Sequence, residues 1–152
     1  MFHRFLKGVA ISAIIAFPSW AAAQNAPEYP PISTQGAEEA NRLLQPFFLS
    51  LQAGNAPQAY ADLFRGTLLE TKVLEVSQLA AQTTVVLQTY GALNDWELVR
   101  SECPTTYVCK LVYFMRMDKG ATAFWAYLYR RPDGSWQPST VLMGDTPQFF
   151  FN

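Results

Sequence analysis

Histidine is almost absent from this sequence, and the single copy, His3, stands near the N-terminus. It belongs to a stretch, residues 1–23, that reads as an export signal. His3, Arg4 and Lys7 make a positive start, Val9 to Phe17 an apolar run, and Ala21-Ala22-Ala23 a small-residue cleavage site. A mature chain beginning near Gln24 therefore has no histidine. That excludes Ser-His-Asp and Cys-His mechanisms and removes the commonest metal ligand, so neither metal nor cofactor is expected.

Basic runs are missing as well. Of the 11 lysines and arginines, Arg4 and Lys7 leave with the signal, so 9 remain against 12 acidic residues, a formal charge of −3. Mild acidity without a basic cluster argues against nucleic acid as a partner. No long apolar run exists either. Val9 to Phe17 falls short of the roughly 20 residues that span a bilayer, so no membrane span is expected after cleavage. An uncleaved anchor is the alternative, against which Pro18 and the small residues behind it speak. No cysteine follows the apolar run, so lipoprotein processing is not expected. The expected location is the periplasm or the medium.

Cysteine is scarce, with two copies, Cys103 and Cys109. In an oxidising compartment, a C-x5-C pair on adjacent strands defaults to a disulfide across a hairpin. Closing so short a loop is worth about 2 kcal/mol on the chain-entropy estimate, so its main use is to pin register. The C-x-x-C spacing of redox enzymes is absent.

What the chain does have is aromatic residues, at 14%, and four strand-like segments between Trp96 and Met143. Asp118-Lys119-Gly120 and Pro132-Asp133-Gly134 fit three-residue hairpin loops with glycine in the left-handed region. That geometry pairs Met117 with Ala121 and Arg131 with Ser135. Setting Cys103 opposite Cys109 pairs Glu102 with Lys110, Leu98 with Phe114 and Trp96 with Arg116. Odd-numbered residues then share one face. It carries Val99, Leu111, Tyr113, Met115, Trp125, Tyr127, Tyr129, Val141 and Met143, and having the fewest charges to desolvate it is the face expected beneath helices.

Upstream, residues 24–35 hold Pro27, Pro30 and Pro31 and read as an extended linker. A helix is expected from Gly36 to Ala53, kinked at Pro46, with Ala40, Leu44, Phe47, Phe48 and Leu51 as its apolar stripe. A short helix from Pro57 to Phe64 and a third from Val76 to Tyr90, stopped by Gly91, complete the set; Thr67 to Leu74 reads either as a helical turn or as a short strand. The length left after the signal, roughly 130 residues, suits one domain, at residues 36–143. Residues 144–152 form a tail with Phe149, Phe150 and Phe151. It reads either as a flap over an apolar gap or as a hook for a partner.

Buried tyrosine hydroxyls need partners, so an aromatic pocket between helices and sheet competes with plain packing. Its expected lining is Phe47, Tyr60, Phe64, Tyr113, Trp125 and Tyr127, and its ligand a small apolar or aromatic molecule. The other face carries Leu98, Val112, Phe114, Phe124 and Leu142 inside a charged ring, the anatomy of a homodimer interface; the tail is the competing cover. Glu97 and Asp62 are the two carboxylates read as bordering a cavity, where beside a tyrosine either suits enolisation or dehydration; the competing reading of each is a rim charge.

LQAGNAPQAYADLF, the YGALNDWELV joint and the RRPDGSWQPSTVLM hairpin resemble the nuclear transport factor two-like superfamily. The match is to its small exported bacterial members of unknown function. The resemblance implies a cystatin-like α+β cone: three N-terminal helices on the concave face of a curved antiparallel sheet. It also implies dimers through the sheet, and either a non-catalytic binding or assembly module, with a small ligand or an envelope protein as partner, or an isomerase- or dehydratase-like enzyme. The histidine-and-aspartate constellation of the dehydratases has no counterpart here.

Overall fold

The computed structural model describes residues 34–145. The signal, most of the linker and the tail from Thr146 lie outside the described residues. Four helical segments precede four strands: α1 (Thr34–Gln52), α2 (Ala56–Phe64), a 3₁₀ turn (Leu68–Thr71) and α3 (Val73–Tyr90), then β1 (Leu93–Thr105), β2 (Val108–Met117), β3 (Gly120–Arg130) and β4 (Trp136–Gly144). The strands form one antiparallel sheet in sequence order. Three helices on one face of an antiparallel sheet is the expected α+β class.

α1 runs through Pro46, which is exposed and forfeits one backbone bond. Its stripe of Ala40, Leu44, Phe47, Phe48 and Leu51 is buried against the sheet. α2 is capped by Asn55, whose side chain accepts from the Gln58 backbone N–H at 3.2 Å, the usual N-cap arrangement. The ambiguous segment is the 3₁₀ turn, capped by Thr67.

Two of the three expected hairpin registers hold at their loops. Glu102 pairs with Lys110 beside the Cys103–Cys109 disulfide, and Arg131 N–H donates to Ser135 C=O at 2.8 Å. The central one differs: Met117 pairs with Gly120, not Ala121, so the turn has two residues and Gly120 keeps an ordinary φ. The reason lies outside the hairpin. Lys119 N–H donates to Tyr90 C=O, and Asp118 N–H to Ala92 C=O, while the Asp118 carboxylate accepts from Ala92 N–H and the Asn94 amide. The end of α3 and the start of β1 thus hold the turn in a form that its own sequence does not select.

A one-residue slip turns over every side chain of a strand. Tyr113 sits opposite Phe124, and Leu111 opposite Ala126. Phe124, Ala126 and Leu128 therefore face the helices, while Trp125, Tyr127 and Tyr129 face away, contrary to expectation. Irregularities between Leu98 and Arg100 and across from Tyr127–Leu128 shift β1 and β4 by one residue and curve the sheet. Trp96 and Leu98 consequently lie inward, opposite Met115 and Tyr113, and Arg116 pairs with Asp95 instead of Trp96. The odd face is the covered one for β2, and for Val141 and Met143 of β4; for β3 it is the reverse.

Candidate functional site

The expected pocket between helices and sheet is closed. Phe47 and Phe48 of α1 pack on Phe124 at ring separations of 4.9 and 5.3 Å; Phe48 meets Tyr113 at 4.6 Å and stacks on Trp96 at 5.4 Å. Tyr60 joins through Phe47 at 5.1 Å. Of the six expected lining residues, Phe47, Tyr60, Phe64 and Tyr113 are brought into this core, and each is at most 2% exposed. Trp125 and Tyr127 are on the far side of the sheet and cannot join them.

The buried hydroxyls have partners. Tyr60 Oη lies 2.9 Å from Thr83 Oγ1, which is itself buried, and Tyr113 Oη donates to Asn41 Oδ1 at 2.6 Å. Burial pushes the Tyr60 phenol up to about 12, partly offset by the Thr83 bond, and burial likewise raises Tyr113. Both are neutral, structural phenols at ordinary pH.

The open space lies on the outer side of the helices. A groove of about 480 Å³ runs between α2, the 3₁₀ turn and α3, within the size range of small-molecule sites. Its floor is Tyr60, Phe64 and Ala80, and its walls include Pro57, Ala61, Val73, Val76, Ser77, Ala81 and Thr84, with Glu70 on the rim. The opening follows from side-chain size. α3 presents Ser77, Ala80, Ala81 and Thr84 toward α2 at helical spacing, where leucines would have closed the gap. Only Ala80 and Thr83 of α3 are buried, and Val73 and Leu74 are both 69% exposed.

Polar groups at the groove are few, and Glu70 and Thr84 are engaged. Glu70 accepts from Gly66 N–H at 2.7 Å, and Thr84 Oγ1 donates to Ala80 C=O at 2.8 Å. A smaller depression of about 140 Å³ lies behind α3, between Leu79, Thr83 and Val86 and the end of β4, with Tyr60 lining it too. A third cleft, of about 500 Å³, opens beside Tyr107, Tyr129, Arg130 and Arg131. Its guanidiniums have partners: Arg130 with Glu39 and Gly134 C=O, Arg131 with Gln137 and Gly66 C=O.

The carboxylates proposed for acid–base work are not near a tyrosine hydroxyl. Asp62 is exposed and paired with Arg65 and Gln58, and Glu97 is exposed on the outer face opposite Phe114. Among the described residues no cluster of His, Cys, Asp or Glu is arranged to hold a metal, and no helix is long and apolar enough to cross a membrane. The expected dimer patch is also split: Leu98 and Phe124 turn inward, leaving Val112, Phe114 and Leu142 outside.

Sequence reasoning reached Tyr60 and Phe64 but missed the α3 wall. The signal was there in the small residues at 77, 80, 81 and 84, which share one helical face. No family model matches the chain, and no curated protein does. One solved structure is similar, that of a Campylobacter jejuni protein named, provisionally, an NTF2-like transpeptidase. The two share 14% identity over 65% of this chain and 95% of that one, with a TM-score of 0.49.

Proposed function

We propose that this protein is an exported, non-catalytic binding module, whose groove between α2 and α3 takes a small, largely apolar, uncharged ligand. The observation that carries the reading is the groove itself: concave, apolar and floored by rigid aromatic residues. Its chemistry sets the ligand class. Glu70 is the one ionisable group at the rim and no cation lines the walls, so an anion finds no counter-charge. With the Thr84 hydroxyl engaged and Ser77 the remaining polar side chain on the walls, affinity has to come mainly from apolar area, about 25 cal/mol for each Å² removed from water. Export is supported by the signal-like N-terminus and by the disulfide, which oxidising compartments favour.

Native mass spectrometry of protein purified from its own cell envelope tests this reading. Ala81 is exposed and on the groove wall, so Ala81→Trp fills the space without touching the core. The wild type should carry a co-purifying small molecule that the Ala81→Trp protein lacks. A bare wild type, or an adduct retained by the variant, contradicts the assignment.

A further inference from the structure

The cleft of about 500 Å³ beside Tyr107 and Tyr129 shares no lining residue with the groove and differs from it in chemistry. Two hairpin loops at one end of the sheet wall it: Thr106 and Tyr107 between β1 and β2, and Arg131, Pro132 and Gly134 between β3 and β4. Tyr129 and Arg130, at the end of β3, complete it. Both loops are held in place by bonds of their own. The Cys103–Cys109 disulfide closes the first, and Arg130 N–H donates to Tyr107 C=O at 2.7 Å. In the second, the Asp133 carboxylate accepts from both the backbone N–H and the hydroxyl of Ser135.

The groups offered to the cleft are of two kinds. The first is aromatic and hydroxylic. Tyr107 is 61% exposed and Tyr129 40%, and neither phenol nor the Thr106 hydroxyl has a hydrogen-bond partner among the described residues. Half-buried Tyr127 follows on the same outer face, two residues or about 6.6 Å along β3. The second kind is charge. Arg131 is tied by Nε to Gln137 Oε1 at 2.7 Å and by Nη2 to Gly66 C=O at 2.6 Å. Its Nη1 has no partner among the described residues. Both tethers are neutral, so no ion pair among the described residues discharges this guanidinium, whereas Arg130 faces Glu39 at 3.5 Å. A guanidinium already fixed in place loses little entropy on binding a carboxylate.

We propose that this cleft binds an acidic oligosaccharide. The tyrosine faces suit the C–H faces of sugar rings, the open hydroxyls suit sugar hydroxyls, and Arg131 suits a carboxylate on one ring. An apolar ligand would leave the hydroxyls and the guanidinium unpaired, and a small inorganic anion would leave the rings unused. Nucleic acid also joins stacking to charge, but it calls for several phosphate-binding cations, and this cleft has two arginines of which one faces Glu39.

Shift mapping of amides and arginine side chains tests the assignment, with trigalacturonate as the acidic probe and galactotriose of the same linkage as its neutral counterpart. In the exported wild-type protein, trigalacturonate should give saturable shifts centred on Tyr107, Tyr129 and Arg131 Nε. It should bind about tenfold tighter than the neutral sugar at low salt. The Tyr107 side chain is exposed and without a partner among the described residues, so Tyr107→Ala should stay folded and weaken trigalacturonate by about tenfold. Arg131→Gln should bring the two sugars to similar affinity. Because Arg131 also tethers its loop, the Tyr107→Ala result and the wild-type comparison of the two sugars decide the matter if that variant fails to fold. Absence of saturable shifts, shifts centred elsewhere, or equal binding of the two sugars by the wild type overturns the proposal. So does full affinity in Tyr107→Ala, or a preference for the acidic sugar that survives in folded Arg131→Gln. Acetate giving the same shifts at the same affinity would make the cleft a simple anion site and overturn it too.

Discussion

At the scale of single residues, the pair Tyr60 and Thr83 decides how the helical layer holds together. Their bond links α2 to α3 inside the core, and Tyr60 also floors the groove. Tyr60→Phe leaves the Thr83 hydroxyl buried without its partner, so stability at pH 8 should fall by about 1–2 kcal/mol. The same residue sets an alkaline limit. Its pKa is raised to about 12 in the folded chain from 10.0, so its contribution is intact below pH 10 and is lost as pH climbs toward 12. Urea unfolding at pH 8 and pH 11 checks both effects. The gap between wild type and Tyr60→Phe should narrow by about 1 kcal/mol at the higher pH. A gap that does not change between the two pH values would mean that the phenol is not desolvated. Little of this was legible beforehand: Tyr60 could be placed on the apolar side of a short helix, but Thr83 stands 23 positions further on.

At the scale of elements, the joint between α3, β1 and the central hairpin does the most to fix the fold. Gly91 has φ 87° and ψ −166°, a region open essentially to glycine, and a Cβ there would meet Asp118 Cβ at 2.6 Å. Gly91→Ala should therefore cost about 1–3 kcal/mol in thermal or urea unfolding, and a neutral result would show that the joint relaxes freely. The joint also explains what the sequence hid. The loops at Cys103–Cys109 and Pro132–Gly134 follow their local sequence, and their registers could be derived. Asp118-Lys119-Gly120 reads equally well as a local loop, but its polar groups are taken by Tyr90, Ala92 and Asn94, far back in the chain. One residue of slip there exchanged Phe124 for Trp125 and Leu128 for Tyr127 on the covered face. Substitution distinguishes the two registers. Phe124→Ala should cost about 3–5 kcal/mol as a large-to-small core change. Tyr127→Ala, on the outer face, should cost about 1 kcal/mol or less. The reverse order would restore the register with Tyr127 inside.

At the scale of the whole molecule, the layered α+β plan was readable because α1 and the strands carry clear periodicities of their own. The site was not readable in the same way. Aromatic residues drew attention to the space between helices and sheet, yet large side chains meeting across a core fill it, as Phe47, Phe48, Tyr113 and Phe124 do. The cavity arises instead where side chains are small, along Ser77, Ala80, Ala81 and Thr84, and it takes the neighbouring helix to make a gap of them. Amide and methyl shift mapping with indole, a neutral probe of the expected class, tests that central claim most directly. Saturable shifts should centre on Ala61, Ser77, Ala81 and Thr84 in the wild type and be lost in folded Ala81→Trp. Shifts centred on Tyr107 and Tyr129 instead, or a response unchanged by Ala81→Trp, would contradict the groove as the binding site.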